Sequence, residues 1–289
     1  MKKKKLNIYR MIVYQTSLIG KRTTNEDQHQ IVLNGDNSNS KLNNINFFAV
    51  YDGHGGNKVS KFLKNNLAQY FLKKNIQYPL SDNYIIKIFN HLQKKLAIDH
   101  KDFAYSQGST CLVLINFSVN KNNYLYLFNL GDCRAVICTD NIANYLTKDH
   151  KPDWPEEKRR IKSLGGEIHF DGVDYRIGTM SVSRSFGDID AAPYVTHLPD
   201  IFKYKVSSQD QFIIMACDGL WDVLANHDAV NFVLNRVEIK KKKNYKGMLN
   251  EGQYEVTLKD GRKNIAKSLA EYAIQKGSSD NITVIIIFL

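Results

Sequence analysis

Seven carboxylates stand where strands end or turns begin. They are Asp52 after FFAVY, Asp132 after YLYLFNL, Asp218 and Asp222 in CDGLWD, Asp280 in SSDNITV, and Glu26 with Asp27 in GKRTTNEDQH, close to Arg22. One acid at a turn is ordinary, because short side-chain oxygens cap turns routinely. Seven at one sheet edge would repel one another strongly unless a cation compensated them. Hard oxygen ligands in that number suit Mg2+ or Mn2+, whereas zinc prefers His and Cys. A two-metal centre needs one carboxylate to bridge and others to hold each ion. Its usual chemistry is hydrolysis of a phosphate ester by in-line displacement.

Such a cluster requires strands that end together. Residues 46–51, 111–117, 124–130, 212–217 and 282–288 are nearly continuous apolar runs, so each predicts a strand covered on both faces. Gly131-Asp132, between YLYLFNL and CRAVIC, predicts a tight antiparallel hairpin turn. Helical spacing places Val59, Phe62, Leu63, Leu67, Tyr70 and Phe71 on one face, and Ile85, Ile88, Phe89, Leu92 and Leu96 on another. A third stripe, Ile265, Leu269, Tyr272 and Ala273, has Gly277 as its stop. Strands that come in runs rather than in strict alternation with helices predict an α+β fold, with paired antiparallel sheets and helices outside. Residues 149–199, with Pro152, Pro155, Pro193, Pro199 and Gly165-Gly166, predict an irregular surface flap. A polar stretch at 238–252 predicts a loop insertion. No internal repeat is visible, and residues 1–289 read as a single catalytic domain.

Composition excludes several classes. At 43% hydrophobic and 24% charged, the 289 residues belong to a soluble globular chain and not a disordered one. No apolar run approaches a bilayer span. The start, MKKKKLNIYRMIVYQTS, is basic like a secretory signal, but Arg10 interrupts its apolar stretch and no small-residue cleavage site follows. Secretion is therefore not expected. The cytoplasm is the default location, with nucleus and mitochondrion left open. Cys111, Cys133, Cys138 and Cys217 form no CxxC pair, which predicts buried free thiols in a reducing compartment. The formal charge of +11 admits an acidic partner, but the lysines are scattered among Asn, Ile and Tyr, as A/T-rich codon usage would produce. Two clusters, at 2–5 and 240–243, read equally as nuclear signals or as solvated segments. No cysteine has an arginine six residues on, which excludes a cysteine-phosphatase loop, and no HExxH, P-loop or zinc-finger spacing occurs.

The ordered blocks GKRTTNED, YDGHGG, GSTCLV, NLGDCRAV, KDHKP, SVSRSFGD, ACDGLWD and SSDNITV resemble the metal-dependent protein phosphatases of the 2C type, over about residues 17–288. The resemblance implies a four-layer α-β-β-α sandwich, two antiparallel central sheets flanked by helices, with a surface flap. It implies a serine/threonine phosphatase using two Mg2+ or Mn2+ ions and a hydroxide held between them. Asp52 would bridge the ions and the Gly53 carbonyl would ligate one, a place where glycine lets the backbone come close. Asp218 and Asp280 would complete the first ion's shell. Glu26 would serve the second, with Asp27 acting through water. Asp132, Asp218 and Asp222 would form a weaker third site, or Asp222 would simply cap. Arg22 would hold the substrate phosphate, unless it merely pairs with Glu26 at i,i+4. His54 would protonate the leaving Ser or Thr oxygen, unless it is a solvated turn histidine. Thr110 and Asn281 would brace ligands; Arg184 and Asp188 would shape the base of the flap. Phosphoproteins are the implied partners of a monomer, with no nucleic acid and no membrane span. A chain ending at Leu289 predicts no appended tail. The rival readings are a catalytically silent relative kept as a binding module and a basic nucleic-acid binder, for which no known module is present.

Overall fold

The structure, a computed structural model, describes residues 11–33, 45–73, 75–120, 122–243, 249–259 and 263–289. Two five-stranded antiparallel sheets carry it. One runs Ile12–Leu18, Ile282–Phe288, Asp210–Ala216, Arg134–Thr139, Ile142–Tyr145; the other runs Asp200–Lys205, Asn122–Leu130, Cys111–Val119, Ile45–Tyr51, Gln28–Val32.

The apolar runs form strands because each has two faces to bury. In Ile45–Tyr51 every residue is buried. Phe48 and Val50 point inward, where they meet Leu112, Leu114 and Leu127 of their own sheet and Ile137, Ile213, Met215, Ile285 and Ile287 of the other. Phe47, Ala49 and Tyr51 point outward onto Val59 and Leu63 of the helix Lys58–Asn66 and Phe89 and Leu92 of the helix Asp82–Asp99. On the far side, Phe212, Ile214, Val284 and Ile286 pack under Val230 and Val233 of the helix Asn226–Arg236 and Leu269 and Ala273 of the helix Ile265–Gln275. Each large apolar side chain so enclosed contributes about 1.5–3 kcal/mol. The layers are therefore helix, sheet, sheet, helix. Ser81 caps the helix Asp82–Asp99 by accepting from the Tyr84 amide, and Gly277, at φ +108°, follows the helix Ile265–Gln275.

Three expectations are corrected. Gly131-Asp132 is not a hairpin turn: Asn122–Leu130 belongs to one sheet and Arg134–Thr139 to the other, so the chain crosses the sandwich there. Leu130 pairs with Cys111 at one end of this strand pair and Val119 with Asn122 at the other, so the chain reverses next to Asn120, which takes φ +51°. The segment 149–199 is not merely irregular. It holds the helix Pro155–Ser163, opened by a proline in its first turn, and a small core of Ile161, Ile177 and Val195. The stretch at 238–252 is largely strand: Val237–Lys243 pairs antiparallel with Leu249–Leu258, anchored by Val237, Ile239, Val256 and Leu258 against the helix layer. Residues 244–248, and the lysine cluster at 2–5, lie outside the described residues. No helix among the described residues is long and apolar enough to cross a membrane.

Candidate active site

Both sheets deliver acids to one edge. Asp52 directly follows Ile45–Tyr51, and its backbone is clamped by Thr110: the Thr110 amide donates to the Asp52 carbonyl at 2.8 Å, and the Asp52 amide donates to Thr110 Oγ1 at 3.1 Å. Gly53 has no room for a side chain, because a Cβ would crowd the Glu26 carbonyl and the Ser60 hydroxyl. Its glycine thus reflects tight packing against the Glu26 segment. Asp132 sits at the sheet crossing, which the KDHKP segment straps down: the His150 amide donates to the Gly131 carbonyl at 3.0 Å, and the Gly131 amide donates to His150 Nδ1 at 3.1 Å. Asp218 opens the short helix after Asp210–Ala216. Asn281 ties Asp280 to the N-terminal loop, donating to the carbonyls of Ile19 and Thr24 at 2.9 Å each and accepting from the Glu26 amide at 2.8 Å.

These residues surround a cavity of about 460 Å³, lined by Arg22, Glu26, Asp52, Gly53, His54, Asp132, Asp218 and Asp280, with Arg176 and Met180 contributed by the flap. Carboxylate oxygens of Asp52, Asp132 and Asp218 lie within 4.8 Å of one another. Asp27 is buried behind them, where Thr283 Oγ1 donates to its Oδ2 at 2.7 Å, while its Oδ1 has no hydrogen-bond partner among the described residues. Asp222 stands exposed outside this lining.

The electrostatics follow. Asp52 is held well above the usual carboxylate range, first by burial and then by the charges of Asp218, Asp27 and Asp132. Asp218 is raised likewise, by burial and then by Asp132 and Asp222. Burial pushes Asp27 up to about 6. Cys217, beside Asp27 and Asp52, is also pushed up, by burial first and then by those acids, so it stays a neutral thiol. A crowded cage of oxygen donors, one of them orphaned, fits a hard divalent cation.

Two basic groups already compensate part of the charge. Arg22 Nη2 donates to Asp280 Oδ2 at 2.6 Å rather than pairing with Glu26, and Lys151 Nζ pairs with Asp132 Oδ2. Lys151, named by no single-residue expectation, lay inside the quoted KDHKP block. Arg184 does brace the flap base, reaching Glu157 at 2.6 Å and Asp200 at 2.8 Å. Asp188 does something else: it lies 2.7 Å from His54 Nε2. Burial works against a charge on His54, but the hydrogen bond and charge of Asp188 more than offset it, so the imidazole sits above its ordinary value.

The model of the family Protein phosphatase 2C matches residues 14–282. A PP2C-like domain-containing protein of Acanthamoeba polyphaga mimivirus is 50% identical over 175 residues, 58% of this chain and 96% of that protein. The integrin-linked kinase-associated serine/threonine phosphatase 2C of Homo sapiens is 33% identical over 295 residues, 93% of this chain and 70% of that protein. Among solved structures, the serine-threonine phosphatase 2C from Toxoplasma gondii shares the fold at TM-score 0.72 and 22% identity, covering 96% of this chain and 94% of that one. A sex-determining protein of C. elegans does so at 0.77 and 23% identity, covering 96% of this chain and 64% of that one. The family match and the curated relatives lead to one conclusion: the chain belongs to the protein phosphatase 2C family of serine/threonine protein phosphatases.

Proposed function

We propose that the chain, acting as one catalytic unit over residues 1–289, hydrolyses phosphoserine and phosphothreonine in proteins with the help of two Mg2+ or Mn2+ ions. The observation that carries this is the convergence of Asp52, Asp132, Asp218, Asp280 and Glu26 on one cavity that also holds Arg22 and His54. Asp52 and the Gly53 carbonyl, with Asp218 and Asp280, would hold one ion, and Asp52 and Glu26 the other, with Asp27 behind. Asp132 and Asp218, reaching out to Asp222, would make a third, weaker site. Bound there, the cations supply charge compensation and a water acidified enough to attack phosphorus at neutral pH.

The chain's own side chains do the rest. Arg22, at the cavity mouth, turns its fork from Asp280 to two phosphate oxygens and fixes the ester for in-line attack. His54 donates a proton to the seryl or threonyl oxygen as the P–O bond breaks, which matters because an alkoxide is a poor leaving group. The flap residues Arg176 and Met180 close one wall and meet the polypeptide around the phosphorylated residue. The test is phosphate release from a phosphothreonine peptide by the purified chain. Release should require Mn2+ or Mg2+, cease with chelator and be abolished by Asp52→Asn; metal-independent release, or an active Asp52→Asn, would refute the reading.

A further inference from the structure

Asp188 follows the short strand Phe186–Gly187, which pairs with Gly108–Ser109, which in turn pairs with Gly53–His54. In this three-stranded patch Gly108 lies opposite both Gly187 and His54. A Cβ at Gly108 would overlap Asp188 Oδ2 and His54 Nε2 together, so the missing side chain is what lets the two groups meet. Asp188 is only 2% exposed and takes a left-handed backbone, φ +43° and ψ +48°, which Asp tolerates better than most residues. Its Oδ2 accepts from Ser185 Oγ as well as from His54.

Holding the loop does not require that carboxylate. Gln93 binds Gly187 on both sides, accepting from its amide at 2.9 Å and donating to its carbonyl at 2.8 Å. The Asp188 and Asp190 amides donate to the carbonyls of Gln107 and Tyr105, each at 3.1 Å. Phe186 stacks on Phe89 with centroids 5.1 Å apart. The backbone is thus secured without the Asp188 side chain, whose acceptor atom is turned to the imidazole.

We infer that Asp188 is a positioning residue for proton delivery: it holds His54 by Nε2, so that Nδ1 is the atom that faces the leaving oxygen. This rests on the general-acid reading of His54. In the step, an oxygen derived from water bonds to phosphorus, the P–O bond to the Ser or Thr side chain breaks, and its electron pair stays on that oxygen. That oxygen takes the proton from Nδ1. The ring is left neutral, with its remaining proton on Nε2 donated to Asp188, and solvent restores the other.

The experiment compares Asp188→Asn and His54→Gln, both Mn2+-loaded, on a phosphothreonine peptide and on p-nitrophenyl phosphate, whose leaving group needs little protonation. Asp188→Asn should lower kcat on the peptide by roughly 10- to 100-fold with KM little moved. Its loss on p-nitrophenyl phosphate should be much smaller, and His54→Gln should show the same selectivity. A selective His54→Gln beside an unselective Asp188→Asn overturns the role of Asp188 alone. An unselective His54→Gln overturns the general-acid reading and the positioning role with it. Gly108→Ala, which forces the pair apart, should reproduce the selective loss. Should Asp188→Asn fail to fold, nitrogen–proton correlation of the His54 ring decides on the metal-free wild type, at a pH where the ring is neutral: a proton on Nε2 is expected, and a proton on Nδ1 contradicts the proposal.

Discussion

Arg22 and Asp280, 258 residues apart in sequence, meet at 2.6 Å on the rim of the acidic cavity. The pair is solvent-facing, with side chains 59% and 36% exposed, so it is weak and easily exchanged. A cation on Asp280 and a phosphate on Arg22 would each replace one half of it. Arg22→Ala should therefore lower kcat/KM for a phosphothreonine peptide by about 10- to 100-fold, the worth of charged hydrogen bonds to phosphate. Mn2+ affinity, read by calorimetry, should stay equal or become tighter because Asp280 is freed. Weaker metal binding in Arg22→Ala would contradict this division of labour.

Lys151 and Asp132 make the corresponding pair deeper in the site, with Asp132 only 2% exposed. Removing the ammonium leaves a buried carboxylate uncompensated, which is costly. Lys151→Met should lower the melting temperature of the metal-free protein and tighten cation binding at Asp132 and Asp218. The check is thermal unfolding with and without Mn2+. A variant equally stable in both buffers, with unaltered metal affinity, would show that Lys151 does not compensate Asp132.

The raised acids fix the sign of the pH dependence. Asp27 at about 6, with Asp52 and Asp218 higher than usual, keeps more protons in the folded than in the unfolded chain from about pH 4 upward. Stability of the metal-free protein should then fall as pH rises through that window. His54, raised by Asp188 against its burial, acts in the same direction. On the acid side, Glu157 is held near 2 by Arg184 and Ser183 despite its burial, and Asp200 near 2 by His150 first and then Arg184; their contribution is lost as pH falls from about 4 toward 2. Metal-free melting should be at least about 4 °C higher at pH 5 than at pH 7.5, and Mn2+ should shrink or reverse that difference. A metal-free protein that melts higher at pH 7.5 would contradict the crowded-acid picture.

Neutralising one acid should have a related effect. Asp52→Asn or Asp218→Asn should raise the metal-free melting temperature by about 2–4 °C at pH 7.5, because a mutual repulsion disappears. The same variants should gain little from Mn2+. Unchanged or lower melting in both would indicate that these carboxylates are not strained by one another.

What could be read beforehand has a physical pattern. Asp52, Asp218 and Asp280 were visible because each ends or precedes an apolar run, and the strand period and the acid sit within a few residues of each other. The layered sheets were legible for the same reason. Asp188 was not, since its partner His54 lies 134 residues away and the contact depends on an empty Gly108. Lys151 was hidden likewise, 19 residues from Asp132 and across a sheet crossing. That crossing itself misled, because a short link between two apolar runs does not show that Leu130 pairs with Cys111 while Arg134 pairs with Ala216. Between 237 and 258 the polar residues masked an alternation in which Val237, Ile239, Val256 and Leu258 reach the core.

The most direct measurement of the central claim is a titration of Mn2+ into the metal-free chain that reads bound metal and phosphate release together. Activity on a phosphothreonine peptide should rise in step with occupancy and level off near about two ions per chain, while Asp52→Asn binds fewer ions and stays inactive. Hydrolysis that precedes metal binding, or an Asp52→Asn that fills and turns over like the wild type, would contradict it.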